Sequence, residues 1–475
     1  MLTGIGGSEE GQMSALGKKV NSGQISDASP QISEQMLRVF AALARKHQVP
    51  GAQFAIYRDG STIAHEIGEL EFGTGSRVTR DAVFPIGSIT KFFTATVAMI
   101  LVADGDVDLD APIRDCVPEM GDLGAMISLR QLLSHSSGLA ESSGMEERSS
   151  SSLRHYLVEH VCGRNLVQPP GTGFSYSNPG YIVAGRLIET VTGMSWPEAV
   201  ESILLRPLGI EPAFVGLPGT IPPRRQVATG HSVNTAVGRI RPVRQEMVPA
   251  FAPAAALAVS AVDLVKLGLI HVGPGRPDVL PAAYATQMRR AVPRGDPFGL
   301  ADGWGLGLAV YCQQPAEWVG HDGNVSGASC YVRINPADGW VVALTSNSNT
   351  GVGLWQEFQA ELARAGVPIN VPRIPAPGGA QAAPPHGCAG QYTNGDIQCT
   401  VKTGSDGAVY LSADGQNFVP LTFYENLTFT LSAPELTSPG QVSTGRFMRD
   451  PATGKIYGIH IVGRLVRRRQ RVVSA

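Results

Sequence analysis

Ser88 and Lys91 stand three residues apart in "FPIGSITKFFTATVAMILVADG", residues 84 to 105. If a helix opens at about Ser88, positions i and i+3 share one face, and the hydroxyl and the amine are neighbours. The positive end of that helix favours an alkoxide or a developing oxyanion at the serine. Lys91 falls inside an apolar pattern, and removal from water disfavours its ammonium form. A lysine so placed can take a hydroxyl proton, directly or through a neighbour, and activate a serine nucleophile. Taken alone, S-x-x-K recurs by chance in long chains, and a surface serine beside a snorkelling lysine is the plainer account of the pair.

Two further segments change that balance. "PGTGFSYSNPGY" carries Tyr176-Ser177-Asn178, and "VGHDGNVSG" carries His321-Asp322-Gly323 ahead of a strand-like run. "LLSHSSGL" lies between the first two motifs, at 132 to 139. In this order the segments resemble the serine β-lactamase and penicillin-binding-protein superfamily, over about residues 35 to 365. The likeness is to its class C-related branch, with S-x-x-K, Y-x-N and H-x-G motifs.

The resemblance implies an acyl-enzyme on Ser88. Lys91 and Tyr176 would share the proton work, Tyr176 acting as base if Lys91 stabilises its phenolate. Asn178 would bond the Lys91 side chain or a substrate amide. His321 would stand near the tyrosine and the leaving group, and the backbone N–H groups of Ser88 and Asn324 would form the oxyanion hole. Gly323 completes the third motif beside the substrate.

Other residues carry plainer alternatives. His135 reads as a structural, hydrogen-bonding histidine more than a catalyst. Trp304, in "DGWGLGL", lines an acyl pocket or packs in the core. Asp322 is either solvated and idle or a partner for a substrate ammonium. Arg464 lies in an alternating strand, where it either points towards the catalytic domain or makes an exposed salt bridge.

The elements that must position these residues follow from the rest of the chain. The 475 residues exceed one ordinary core, so two or three domains are expected. Residues 1–30 read as a disordered lead-in, 31–370 as the catalytic domain, 371–385 as a Pro-rich linker and 386–475 as a small all-β domain. "AQFAIYRDGSTIAHEIG" alternates like two strands around Asp59-Gly60. Strand-like runs return in "GWGLGLAVYCQ" and "GASCYVRINPADGWVVALTSNS", with helical segments between. That order predicts an α/β (α+β) fold whose two ends meet in one antiparallel sheet flanked by helices. Beyond the linker, short alternating strands broken by Asp, Gly and Pro predict an antiparallel barrel or sandwich, lipocalin-like by resemblance.

A net charge of −2 gives no general reason for a nucleic-acid partner; Arg464 to Arg469 is the local exception. The six cysteines show no metal-ligand spacing and read as buried thiols of a reducing compartment, with Cys388 and Cys399 the nearest pair for a disulfide. No metal and no cofactor are expected. The N-terminus lacks a signal-peptide pattern and residues 92–103 are too short to span a bilayer, so a cytoplasmic protein with no membrane partner is expected.

A cell-wall peptidase or a β-lactamase works outside the membrane, and a histidine stands here where many relatives carry the K-T-G lysine. With the added β-domain, the chain is most similar to penicillin-binding-protein-type thioesterases, the stand-alone cyclases of nonribosomal peptides. That resemblance implies a peptidyl thioester donor, free or on a carrier protein, and head-to-tail macrolactam formation. A hydrolase of the same superfamily and a non-catalytic peptide- or carrier-binding relative are the alternatives.

Overall fold

The computed structural model describes residues 29–142, 152–217, 224–312, 316–369, 379–413, 415–431 and 443–469. Most of the expected lead-in (1–28) and the first part of the expected linker (371–378) lie outside the described residues.

The first described element is helix α1 (Ser29–Lys46), which carries Met36, Phe40 and Ala44 on its buried face. Strands β1 (Gly51–Arg58) and β2 (Ser61–Gly68) form the hairpin expected from Asp59-Gly60. Both turn residues have positive φ, 48° and 83°, a turn geometry whose twist matches a two-residue hairpin. Helix α2 (Thr90–Asp104) follows, then α3 (Asn178–Thr192) and α4 (Ala261–Gly268). Strands β3 (Gly303–Trp304), β4 (Ala309–Tyr311), β5 (Trp318–Val325), β6 (Ala328–Asn335) and β7 (Trp340–Ser346) come next, and α5 (Gly351–Arg364) ends the domain.

These strands form one seven-stranded sheet in the order β2-β1-β7-β6-β5-β4-β3. The N-terminal strand β1 pairs antiparallel with β7, Ala52 opposite Ser346, so the two ends of the domain do meet in one sheet. On one face α1 and α5 pack through Phe40, Phe54 and Phe358, whose ring centroids lie 4.8 to 5.0 Å apart. Each ring contributes about 2–3 kcal/mol by leaving water. On the other face α2, α3 and α4 share a second apolar core. Gly87–Asp104 is long and apolar enough to cross a bilayer, and 78% of it is buried, the surroundings of a core helix.

The C-terminal strands are β8 (Gly390–Asn394), β9 (Ile397–Thr403), β10 (Val409–Ser412), β11 (Val419–Pro420), β12 (Thr422–Phe423), β13 (Thr428–Leu431), β14 (Ser443–Arg449), β15 (Ile456–Ile461) and β16 (Arg464–Arg468). They form a nine-stranded antiparallel sheet, β11-β10-β9-β8-β16-β15-β14-β13-β12. Its two edge strands, β11 and β12, are joined by Leu421 alone, so the sheet curls into a nearly closed barrel. Phe423, Phe429, Phe447 and Tyr392 fill its interior. Strand β8 had no clear alternating signal, since "GQYTN" mixes small and polar residues. Within the segment read as linker, Gln381 bridges to Tyr424 and Ala382 N–H donates to Phe423 O at 3.0 Å.

All six cysteines are free thiols, including Cys388 and Cys399. Cys312 is exposed and Cys116 and Cys162 are half-buried, so half of them are not core thiols.

Candidate active site

The expected helix start is displaced by two residues. Ser88 sits in a 3-10 turn, Gly87–Ile89, that leads into α2 at Thr90. The turn leaves Ser88 partly exposed while Lys91 is completely buried. Lys91 Nζ donates to Ser88 Oγ at 3.1 Å and to the Ala254 carbonyl at 2.9 Å. Burial pulls the Lys91 pKa from 10.5 down to about 7; Glu141 pushes it up and Arg464 pulls it down further. The ammonium is therefore poised to lose its proton near neutrality.

Tyr176 lies in the loop before α3, its ring centroid 5.1 Å from Lys91 Nζ. Burial raises its pKa, against the pull of a hydrogen bond with Ser88 and of the Arg464 charge. The phenol is thus held neutral at rest. The expected phenolate base is opposed by burial, and Lys91 is the group that the site makes basic near neutrality. Tyr176 stacks on His135 with centroids 4.1 Å apart, and the Trp304 edge meets the same ring at 5.9 Å. His135 Nδ1 accepts from Ser177 N–H at 3.1 Å, which fixes the loop carrying Tyr176 and gives this histidine a structural task. Trp304 is buried against Phe174, Tyr176 and His321 and forms a wall of the site.

His321 is buried on β5, where its Nδ1 lies 2.7 Å from the Asp322 carbonyl. A carbonyl only accepts, so Nδ1 holds the proton and Nε2 presents a lone pair. Nε2 has no partner among the described residues. Burial, with the nearby Lys91 charge, drops the His321 pKa to about 4 and keeps the ring neutral. The next residues of β5, Gly323 and Asn324, run against the nucleophile turn. Gly87 has φ 49°, and a Cβ there would lie 2.7 Å from Asn324 O. Only glycine lets the two backbones approach so closely, which brings Ser88 and Asn324, the expected oxyanion pair, to one place.

Two of the expected residues have protein partners that the motifs do not announce. Asn178 does not hold Lys91: its backbone N–H and its Nδ2 donate to the Glu141 carboxylate, at 3.1 and 3.3 Å. At the N-terminus of α3 that acid takes the Asn178 N–H and Ser177 Oγ takes the Gly180 N–H, while Lys91 takes the Ala254 carbonyl instead. Asp322, on the opposite strand face from His321, accepts from the buried guanidinium of Arg333. A buried guanidinium needs a counter-charge, so the carboxylate is not idle, and its side chain stays 41% exposed.

Glu141 is the functional residue that the motifs passed over. It is buried, and it is the only Asp, Glu, Lys or Arg between Arg130 and Glu146 in the sequence. An acid alone in a Ser/Gly-rich loop was the available signal. Its surroundings join the two domains. Glu141 N–H donates to Asn394 Oδ1 at 2.8 Å, and Arg464 Nε donates to Glu141 Oε1 at 3.2 Å. Tyr176 N–H donates to the Gly463 carbonyl at 2.9 Å, and the Arg464 guanidinium lies 5.0 Å from the Tyr176 ring. Arg464 therefore both makes a salt bridge and points into the catalytic domain. One rim of the barrel is a wall of the site.

The arrangement comprises a nucleophile on a turn packed against the Asn324 backbone, a lysine tuned to neutrality and an imidazole nitrogen with no partner among the described residues. That set suits acyl transfer through a serine ester. Comparison with known proteins agrees. Residues 36–363 match the family model described as Beta-lactamase. Penicillin-binding protein 4 of Amycolatopsis lactamdurans is 32% identical over 71% of this chain and 91% of its own length. The unguisins hydrolase ungD' of Aspergillus campestris is 27% identical over 68% of this chain and 63% of its own. The crystal structure of SurE superposes with a TM-score of 0.83 at 37% identity, covering 93% of this chain and all of that one, and SurE has also been solved with D-Leu.

Proposed function

The chain belongs to the β-lactamase family, and on that premise we propose that it transfers a peptide from a thioester to Ser88 and closes it head to tail as a macrolactam. The barrel rim carries this reading. Gly463 and Arg464 meet Tyr176 directly, so the second domain roofs the reacting ester and limits the access of water. The 37% likeness to SurE extends over both domains and adds support.

In the proposed reaction, neutral Lys91 takes the Ser88 proton as Oγ attacks the thioester carbonyl. The backbone donors of Ser88 and Asn324 hold the oxyanion, and the thiol leaves with the proton from Lys91. The peptide's own terminal amine then attacks the ester. His321 Nε2, bare and neutral, accepts the proton that this amine sheds and returns it through Lys91 to the departing Ser88 Oγ as the amide forms, so both bases end the cycle neutral. Because the related SurE was solved with D-Leu, a D-configured residue at the donor end is proposed. A panel of L- and D-terminated small peptidyl thioesters under single-turnover conditions tests this. A D-specific, Ser88-linked acyl-enzyme seen by intact mass is expected; equal acylation by both series overturns the stereochemical part.

Hydrolysis is the second reading. The partial exposure of Ser88 leaves room for water, and the relative from Aspergillus campestris is named a hydrolase.

A further inference from the structure

The barrel has two rims, and the second one is basic. Strands β8 and β15 begin there, and β9 and β16 end there, because neighbours run antiparallel. The opposite ends of the same strands, at Asn394 and Arg464, touch the catalytic domain. Around the second rim lies an open hollow of about 1160 Å3. Its lining includes Lys455, Arg467, Arg468 and Arg469, and no carboxylate.

Two of these cations are committed to structure. Arg468 donates to the Gly387 and Ala389 carbonyls beside Tyr392, and Arg467 donates to Val167 O at 3.1 Å over the Tyr457 ring. Lys455 and Arg469 have no side-chain ion pair or hydrogen bond among the described residues. Asp450, the nearest acid in sequence to Lys455, accepts from Ala452 and Thr453 N–H in its own turn, at 2.8 and 2.9 Å. In a chain of net charge −2, such a concentration of uncompensated cations attracts an anion. The hollow also lies close to the chemistry: β16 runs from Arg464 in the active site to Arg468 at the rim, about 13 Å at the usual rise of an extended strand.

We propose that this basic rim docks a carrier protein, taking the phosphodiester that joins the carrier to its thioester-bearing arm and the acidic surface around it. The inference rests on the acyl-transfer reading, which requires a peptidyl thioester to be delivered to Ser88. A phosphodiester matches the guanidinium and ammonium donors that line the hollow. The Arg467 contact to Val167 places the rim at the seam between the domains, so an arm anchored there can follow that seam towards Ser88.

The test uses the full chain and the exposed pair Lys455→Glu/Arg469→Glu, with Lys455→Gln as a milder companion. Neither residue belongs to the catalytic machinery. Binding of a phosphopantetheinylated carrier to the Ser88→Ala protein is measured beside the same carrier lacking its arm, at low and high salt. Turnover of a phosphate-free small-molecule thioester is followed in the Ser88-intact chain. The expected result is at least about tenfold weaker carrier binding in the reversed pair, a smaller loss in Lys455→Gln, and unchanged turnover of the small thioester. Armed carrier should bind more tightly than unarmed, with a steep salt dependence in the wild type only. Equal binding by wild type and reversed pair, equal binding of armed and unarmed carrier, or preferential binding of a DNA duplex overturns the proposal. Failure of the wild type to acylate from any thioester, with carrier binding as expected, would count against the acyl-transfer reading alone.

Discussion

Arg464, the first residue of the last barrel strand, donates to Glu141 of the catalytic domain at 3.2 Å. Both charges act on Lys91, and with opposite sign: Glu141 raises its pKa and Arg464 lowers it. A residue of the second domain thus contributes to the basicity of the group beside the nucleophile.

Replacement of either partner should move the pH profile in a defined direction. Glu141→Gln removes the charge that favours the ammonium, so the rising limb of kcat/KM shifts to lower pH. Arg464→Met removes the charge that disfavours it, and the limb shifts to higher pH. The two profiles are measured with a small ester substrate. Parallel shifts, or none in either variant, would show that the pair only fastens the domains together.

Lys91 should be visible directly. As a base it works deprotonated, so kcat/KM in the wild type should rise with pH through about 7, the value set by its burial. A Tyr176 phenolate would place that limb far higher, because burial raises the phenol pKa. Lys91→Met should lower kcat by about 10²- to 10⁴-fold. A limb well above 9 would transfer the role to Tyr176.

Gly87→Ala probes the backbone donors. The new Cβ would lie 2.7 Å from Asn324 O at a φ of 49°, so the turn and β5 must separate. Misplacing one oxyanion donor costs about 10²- to 10³-fold in kcat. Steady-state kinetics on a protein shown to be folded by circular dichroism reads this, and a kcat within about threefold of wild type would remove Asn324 from the hole.

Asp322→Asn separates a structural role from a substrate role. Arg333 is 1% exposed and Asp322 41%, so loss of the counter-charge should destabilise the fold by about 1–3 kcal/mol in urea titration, less than for a fully buried pair. If Asp322 instead served a substrate ammonium, stability would hold and the KM for an amine acceptor would rise.

The legible parts of the sequence were those fixed by local rules. Asp59-Gly60 marked its hairpin, the three motifs marked the nucleophile and its neighbours, and the alternation beyond residue 386 marked a β-domain. Residues whose meaning lies in distant contacts were less legible. Asp322 reads as a free acid until Arg333, eleven residues on in the next strand, is brought against it by strand pairing. Asn178 and Lys91 belong to motifs that suggest a mutual bond, yet each finds a nearer partner once the Glu141 loop and the Ala254 carbonyl are packed around them. Glu141 lacked a motif, and its role depends on barrel residues 253 and 323 positions away in the chain. Strand β8 was hidden for a related reason: its Asn394 is buried to serve Glu141, Ser175 and Leu465, against the usual preference for apolar residues inside.

In the proposed reaction an amine, and not water, resolves the ester on Ser88. The direct measurement is mass-spectrometric product analysis after incubation with a peptidyl thioester bearing a free terminal amine, beside Ser88→Ala and an N-acetylated substrate. Cyclisation on Ser88 predicts a product lighter than the linear acid by one water from the free-amine substrate, none from Ser88→Ala, and only slow linear acid from the acetylated peptide. Linear acid alone from the free-amine substrate, at the rate seen with the acetylated one, would contradict it and make the protein a hydrolase.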